Sequence, residues 1–386
     1  MSSQSMPSAP TPAPGSSPSS STSAAAVSVG AAPLHFHDSP VSGEPVHLMG
    51  ETFYRISNYN QMPPFFMSLV SSSDHWLFIS STGGLTAGRR DAESALFPYD
   101  TEDKVAANFR HTGPQARILA TREGRTQLWE PFGDWTAERY RCQRNLYKNV
   151  AGNKLVFEEI NHDLQLTYRY AWRTGERFGF IKSSWLHNHS GDVWHVALLD
   201  GLENLLPYGA TTALQTSFSN LLDAYKRNEI EAETGLGIFA LSATLTDRAE
   251  PSESLMATVA WQVGLDADAH LLCTDQVAHF RQGRSITPET DVRGRAGAYL
   301  THATFALQPN EVRHWHVVAD VNQDSRAVVA LAQLIATEHA TLAQQLEDDI
   351  RQGTAALVQI VAAADGLQHS AVQSVAAHHF ANVLFN

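Results

Sequence analysis

Among 386 residues the chain carries only two cysteines, Cys142 and Cys273, far apart and with no Cys-x-x-Cys pair. That count suits a reduced compartment with two free thiols; one long-range disulfide is the other arrangement it allows. Clustered cations are missing too: Lys and Arg number 27 against 40 Asp and Glu, for a net charge of −13. Nucleic acid and anionic membrane both need runs of positive charge, so neither is an expected partner. No apolar run approaches membrane-spanning length.

The first 32 residues lack charge almost entirely. They have neither the basic start and continuous apolar centre of a signal peptide nor the arginines of a transit peptide. Prolines at 7, 10, 12, 14 and 18 forbid a regular helix, and few large apolar groups are present to offset the entropy of ordering. Residues 1–45 therefore read as a disordered Ser/Pro/Ala-rich tail, and a cytoplasmic location follows by default.

What is present is period-two patterning. Charged residues are only 17% of the chain, beside eight Trp and ten Tyr, a balance suited to half-buried sheet positions. In Leu164-Gln165-Leu166-Thr167-Tyr168-Arg169-Tyr170 the apolar groups share one face and the polar groups the other. Similar segments at 76–80, 139–148, 154–160, 178–187 and 194–200 are separated by Gly/Asn turns. A helix over 211–228 interrupts the series, and strands resume at 238–246, 255–265, 298–307 and 312–321. This predicts a mainly β fold: one large antiparallel two-sheet sandwich over 46–322. Residues 323–386 turn helical, with Asp324 as the cap of a first helix. A second helix is expected over 354–364 and a third from about Ser370.

Two stretches carry a resemblance. "SSTGGLTAGRRDAESALFPYDTEDKV" (80–105) and "LLDGLENLLPYG" (198–209) resemble the N-terminal domain of proteins related to cellobiose and chitobiose phosphorylases. "HHFANVLFN" (378–386) is similar to the start of that group's helical domain. The resemblance implies a galactose-mutarotase-like supersandwich, linker helices, and then an (α/α)6 barrel that holds the catalytic groups. On this reading the chain is an accessory carbohydrate-binding domain, truncated before the barrel and inactive alone. Its partners would be an oligosaccharide or glycoside, the missing barrel and, as an open arrangement, a second copy in a homodimer. No catalytic residue, cofactor or metal is assigned.

Candidate sugar contacts come from three places. The Gly83-Gly84 segment ends on Arg89 and Arg90, which reads either as backbone closely approaching a ligand or as a bulged turn. Trp129, Asp134 and Trp135 lie in one loop, as a sugar platform or as packing over the sandwich edge. Glu203, Asn204 and Tyr208 follow a strand together with Asp200, as hydroxyl binders and a stacking ring or as a plain turn. The pairs His187/His189 and His314/His316 each put two imidazoles on one strand face, yet no acidic ligand lies at convincing spacing, so surface or sheet histidines are expected. Glu158 and Glu159, adjacent on a strand, must point to opposite faces. No Gly-x-Ser-x-Gly, His-Glu-x-x-His or Cys/His signature occurs. An aldose epimerase is the enzymatic alternative; it would draw on His187, His195, His314 and Glu203, provided they converge. A purely structural module that covers the barrel and helps it dimerise is the other alternative.

Overall fold

A computed structural model describes residues 27–35, 39–134, 138–243, 255–364, 371–372 and 374–375. Residues 1–26 of the expected tail, Trp135 and nearly all of the expected third helix lie outside the described residues. The described residues up to Leu34 belong to one unit, in which Ser28–Val29 and Ala32–Pro33 pair as a short antiparallel ladder. The described residues from His35 onward form the other.

The second unit is the expected mainly β antiparallel supersandwich. Its largest sheet has eleven strands, ordered Asp291–Arg293, Lys226–Glu231, Leu236–Leu241, Met256–Val263, Val312–Asp324, Gly179–Asn188, Leu166–Gly175, Leu155–Asn161, Cys142–Asn149, Glu51–Ser57 and Ser42–Leu48. Five strands make the facing sheet: Arg125–Trp129, Gly113–Arg122, Trp194–Leu205, Gly297–Leu307 and Ala269–Leu271. A third sheet of four strands, from Phe66 to Phe97, closes one part of the core. Consecutive strands pair in meanders because short turns allow nothing else. The long-range closure is Val312–Asp324, inserted between Gly179–Asn188 and Met256–Val263.

Alternation decides the core. Leu164, Leu166, Tyr168, Tyr170 and Trp172 all enter one cluster, with Ile118, Val196, Leu198 and Tyr299 from the facing sheet and Ile79 and Leu85 from the third. Across this core runs one ion pair. Asp200 accepts from Lys182 Nζ at 2.6 Å and Tyr168 Oη at 2.8 Å on one oxygen, and from Trp315 Nε1 at 2.7 Å on the other. Asp200, a neighbour of the candidate sugar contacts, is therefore a core group. Cys142 and Cys273 are free and buried.

Two helical expectations need correction. The stretch 211–228 is two short helices, Thr212–Ser217 and Ser219–Tyr225, because from Lys226 onward the chain pairs with Leu236–Leu241. The first and second C-terminal helices are one, Ser325–Ala363, with non-helical dihedrals only at Glu338. Asp324 does cap it, accepting from Ala327 N at 2.8 Å. The helix stays continuous because Ile335, Leu342, Leu346 and Ile350 bury against Phe178, Ile181, Trp261 and Val318 on the outer face of the large sheet. Tertiary burial, not propensity, carries it past its weak points. No described helix is long and apolar enough to cross a membrane.

Candidate functional site

Beyond the C-terminal helix, the outer face of the large sheet carries a small apolar cluster of Phe53, Tyr147, Val156 and Ala171 and, beside it, a polar strip. Register places Asn145, Glu158, Arg169, Trp185 and His314 in one row across five neighbouring strands. The next row holds Ile160, Thr167, His187 and Val312. Between them opens a groove of about 430 Å³, lined by Glu158, Asn161, Gln165, Arg169, Trp185, His187 and His189. Neighbouring strands present Glu158, Asn161, Arg169, Trp185 and His187, while Gln165 and His189 lie one residue beyond strand ends; the strand-borne groups are pre-organised.

Glu158 forms the buried floor. It accepts from Asn145 Nδ2 at 2.8 Å and Tyr147 Oη at 2.6 Å on one oxygen, and from Arg169 Nε at 2.9 Å on the other. Burial alone would raise its pKa, but Arg169, Tyr147 and Asn145 outweigh that and hold it below the usual carboxylate range. The groove therefore has an anionic floor and donors around it. The Trp185 indole stacks on His314, ring centres 4.6 Å apart and planes 5° off parallel. His187 and His189 lie 3.8 Å apart, and Thr167 Oγ1 meets His189 Nε2 at 2.9 Å. Burial, then the neighbouring His189 and Arg169, lower the pKa of His187, which favours its neutral form.

Glu159 points the other way, as adjacency on a strand requires. It accepts from Trp129 Nε1 at 2.7 Å, Phe132 N at 2.8 Å and Arg144 Nε at 2.7 Å, and so anchors the 129–134 loop. Trp129 is fully buried and offers no face to a ligand. Asp134 lies at the exposed rim, bonded to Arg110 Nε at 2.9 Å. It borders a second cavity of about 360 Å³ with Phe132, Tyr168, Tyr170, Gly83 and Arg281.

The remaining candidates scatter. Arg89 is bound into the fold by Asp320 at 2.7 Å and Asp74 at 2.9 Å. It stands opposite His75, at the far end of the hairpin from Gly83-Gly84; Arg90 beside it is exposed, 3.5 Å from Asp74. Glu203 is buried against Arg117, 2.8 Å away on the facing sheet. Asn204 occupies the bulge there with φ 61° and donates to Thr112 Oγ1 at 2.9 Å. Tyr208 is partly exposed in the loop that follows. The epimerase set does not assemble: His187 and His314 belong to the large sheet, His195 and Glu203 to the facing one.

The Gly-Gly turn approaches its own chain. A Cβ at Gly84 would sit 2.0 Å from the Val105 carbonyl oxygen and 2.6 Å from Asn108 Oδ1, both in the helix Glu102–Asn108. Gly84→Ala is expected to cost about 1–3 kcal/mol through overpacking. Urea unfolding measures it; an unchanged midpoint would show that the turn yields freely.

Sequence reasoning missed Glu347. From the C-terminal helix it meets the sheet beside His314 and His316, bonded to Arg173 at 2.7 and 2.8 Å. Burial, with His314 and Arg173 close by, lowers His316 to about 2, so its imidazole is neutral at pH 7. The acidic partner absent from the local sequence lies thirty-one residues on, and no local signal announces it.

No protein-family model matches the chain, nor does any curated protein. Among solved structures, a bacterial glucoamylase complexed with acarbose aligns at TM-score 0.45 and 7% identity, over 83% of this chain and 40% of that one. A protein from the human microbiome assigned as a kojibiose phosphorylase aligns at 0.35 and 10% identity, over 63% and 27%. One from Klebsiella pneumoniae assigned as an aldose 1-epimerase aligns at 0.32 and 10% identity, over 76% and 91%. The chain thus spans under half the length of the first two. Likeness at this level assigns neither a family nor a substrate.

Proposed function

We propose that the chain is a carbohydrate-binding, non-catalytic accessory domain of a glycoside-acting protein, and that an oligosaccharide or glycoside lies in the groove over Glu158. The observation that carries this reading is the company Trp185 keeps: an indole beside fixed carboxylate, guanidinium, imidazole and amide groups in one open groove. A pyranose presents an apolar face to an aromatic ring and hydroxyls to such donors and acceptors. Catalysis is assigned to a helical barrel joined to this domain, and a homodimer belongs to the same reading. The neighbours of Arg89, Trp129 and Glu203 give those three structural roles in it.

Shallow stacking with a few hydroxyl bonds leaves a dissociation constant on the order of millimolar. Titration with cello- and laminari-oligosaccharides, followed by NMR, is expected to show it, and Trp185→Ala to weaken it about tenfold, in line with the loss of one stacking contact. Binding unchanged in Trp185→Ala but lost in Phe132→Ala would move the ligand to the second cavity and refute the groove. Turnover of a glycoside, with or without phosphate, by the isolated chain would refute the accessory role.

A further inference from the structure

We propose that His314, His316 and Glu347 hold a divalent transition metal, Zn2+ in type, where the large sheet meets the C-terminal helix. This stands apart from the carbohydrate reading, since the groove is lined by other side chains. One ligand atom from each of the three lies within 4.8 Å of the others. Two imidazoles and a carboxylate are a borderline-soft donor set that suits Zn2+, with a fourth position left for water.

The surroundings fix the geometry. Ser183 Oγ bonds His316 Nδ1 at 2.8 Å, which turns Nε2 toward Glu347 Oε1, 4.0 Å away. A hydroxyl that holds the far nitrogen of a ligating imidazole is the outer-shell arrangement that orients such ligands. His314 is steadied by its stack on Trp185. Bonds of about 2.1 Å place tetrahedral ligand atoms about 3.4 Å apart, so the cluster closes inward by small side-chain rotations on taking up the ion. Arg173 bonds both oxygens of Glu347, yet each oxygen keeps a second lone pair for the metal. The neighbouring guanidinium opposes a second cation, which sets the expected affinity on the order of micromolar rather than nanomolar.

Metal-free full chain is titrated with Co2+, read by the ligand-field absorption of a tetrahedral ion, and then back-titrated with Zn2+. One equivalent is expected, displaced by Zn2+, with thermal stability raised in step with occupancy. Glu347→Gln, which keeps an acceptor for Arg173, and His316→Ala should each abolish the spectrum. Ser183→Ala should weaken binding 10- to 100-fold. Where His316→Ala fails to fold, Glu347→Gln and His314→Ala decide the matter. No uptake at tens of micromolar metal, a spectrum unaffected by Glu347→Gln, or one lost only in His189→Ala would each overturn the proposal.

Discussion

Replacing Asp200 with alanine is expected to lower unfolding stability by about 3–5 kcal/mol, the usual cost of stranding one partner of a buried ion pair. Asp200 and Lys182 are both essentially inaccessible to solvent, and the carboxylate also satisfies Tyr168 and Trp315. Alanine would leave three donors from the large sheet facing a void. Burial pulls the Lys182 pKa down even though Asp200 raises it, so without Asp200 the amine should give up its proton in the folded state. Its folded pKa then lies below the unfolded value of about 10.4. The unfolded chain binds the extra proton below that pH, and the defect should shrink as pH rises. Lys182→Met/Asp200→Asn should recover more than half of the loss, since an amide still accepts from the remaining donors. Denaturant unfolding of the three proteins is the test. A loss under about 1 kcal/mol for Asp200→Ala would mean that water reaches the pair.

Acidification is expected to destabilise the fold well above the range where most carboxylates titrate. His75 and His270 are held in neutral form. Burial, then Arg89, with Asp74 opposing, brings His75 down to about 3; burial alone brings His270 to about 4. His75 sits edge-on to Phe180, with Ser73 Oγ 2.8 Å from Nδ1. His270 packs against Tyr299. Both folded values lie below the unfolded value of about 6.5, so between them the unfolded chain binds more protons. The stabilisation is whole above about pH 6.5 and is lost as pH falls toward 4 and then 3. At pH 5 each histidine should cost about 2 kcal/mol, or about 4 kcal/mol for the two. The double variant His75→Gln/His270→Gln should flatten the slope of stability between pH 7 and 5 by that amount. An unchanged slope would show that these rings gain their proton without unfolding.

Which faces are buried was legible wherever the signal was local. The alternation through Leu164–Tyr170 named the core face of that segment, since Leu164, Leu166, Tyr168 and Tyr170 are all buried in the core, and the opposed directions of Glu158 and Glu159 followed from adjacency alone. Burial at Trp129 was not legible, because its satisfied indole depends on Glu159, thirty residues away. Sequence distance groups Arg89 and Arg90 with Gly83-Gly84, whereas a hairpin carries them to its opposite end. Most of the groove residues carry no local signal: Arg169 and Trp185 become neighbours only through strand register, and Gln165 joins them from the turn before its strand.

The amino-acid order by itself determined the mainly β class, the meander of antiparallel strands, the capped start of the C-terminal helix and the acidic, cation-poor surface, since each follows from neighbours within a few residues. The tertiary structure alone decided the eleven-strand order, the union of two expected helices, the Lys182–Asp200 link between sheets and the meeting of Glu347 with His314 and His316. Those features pair residues from 18 to over 100 positions apart. Local propensity carries no information about such pairings, because what selects them is the burial and charge compensation available once whole sheets have packed.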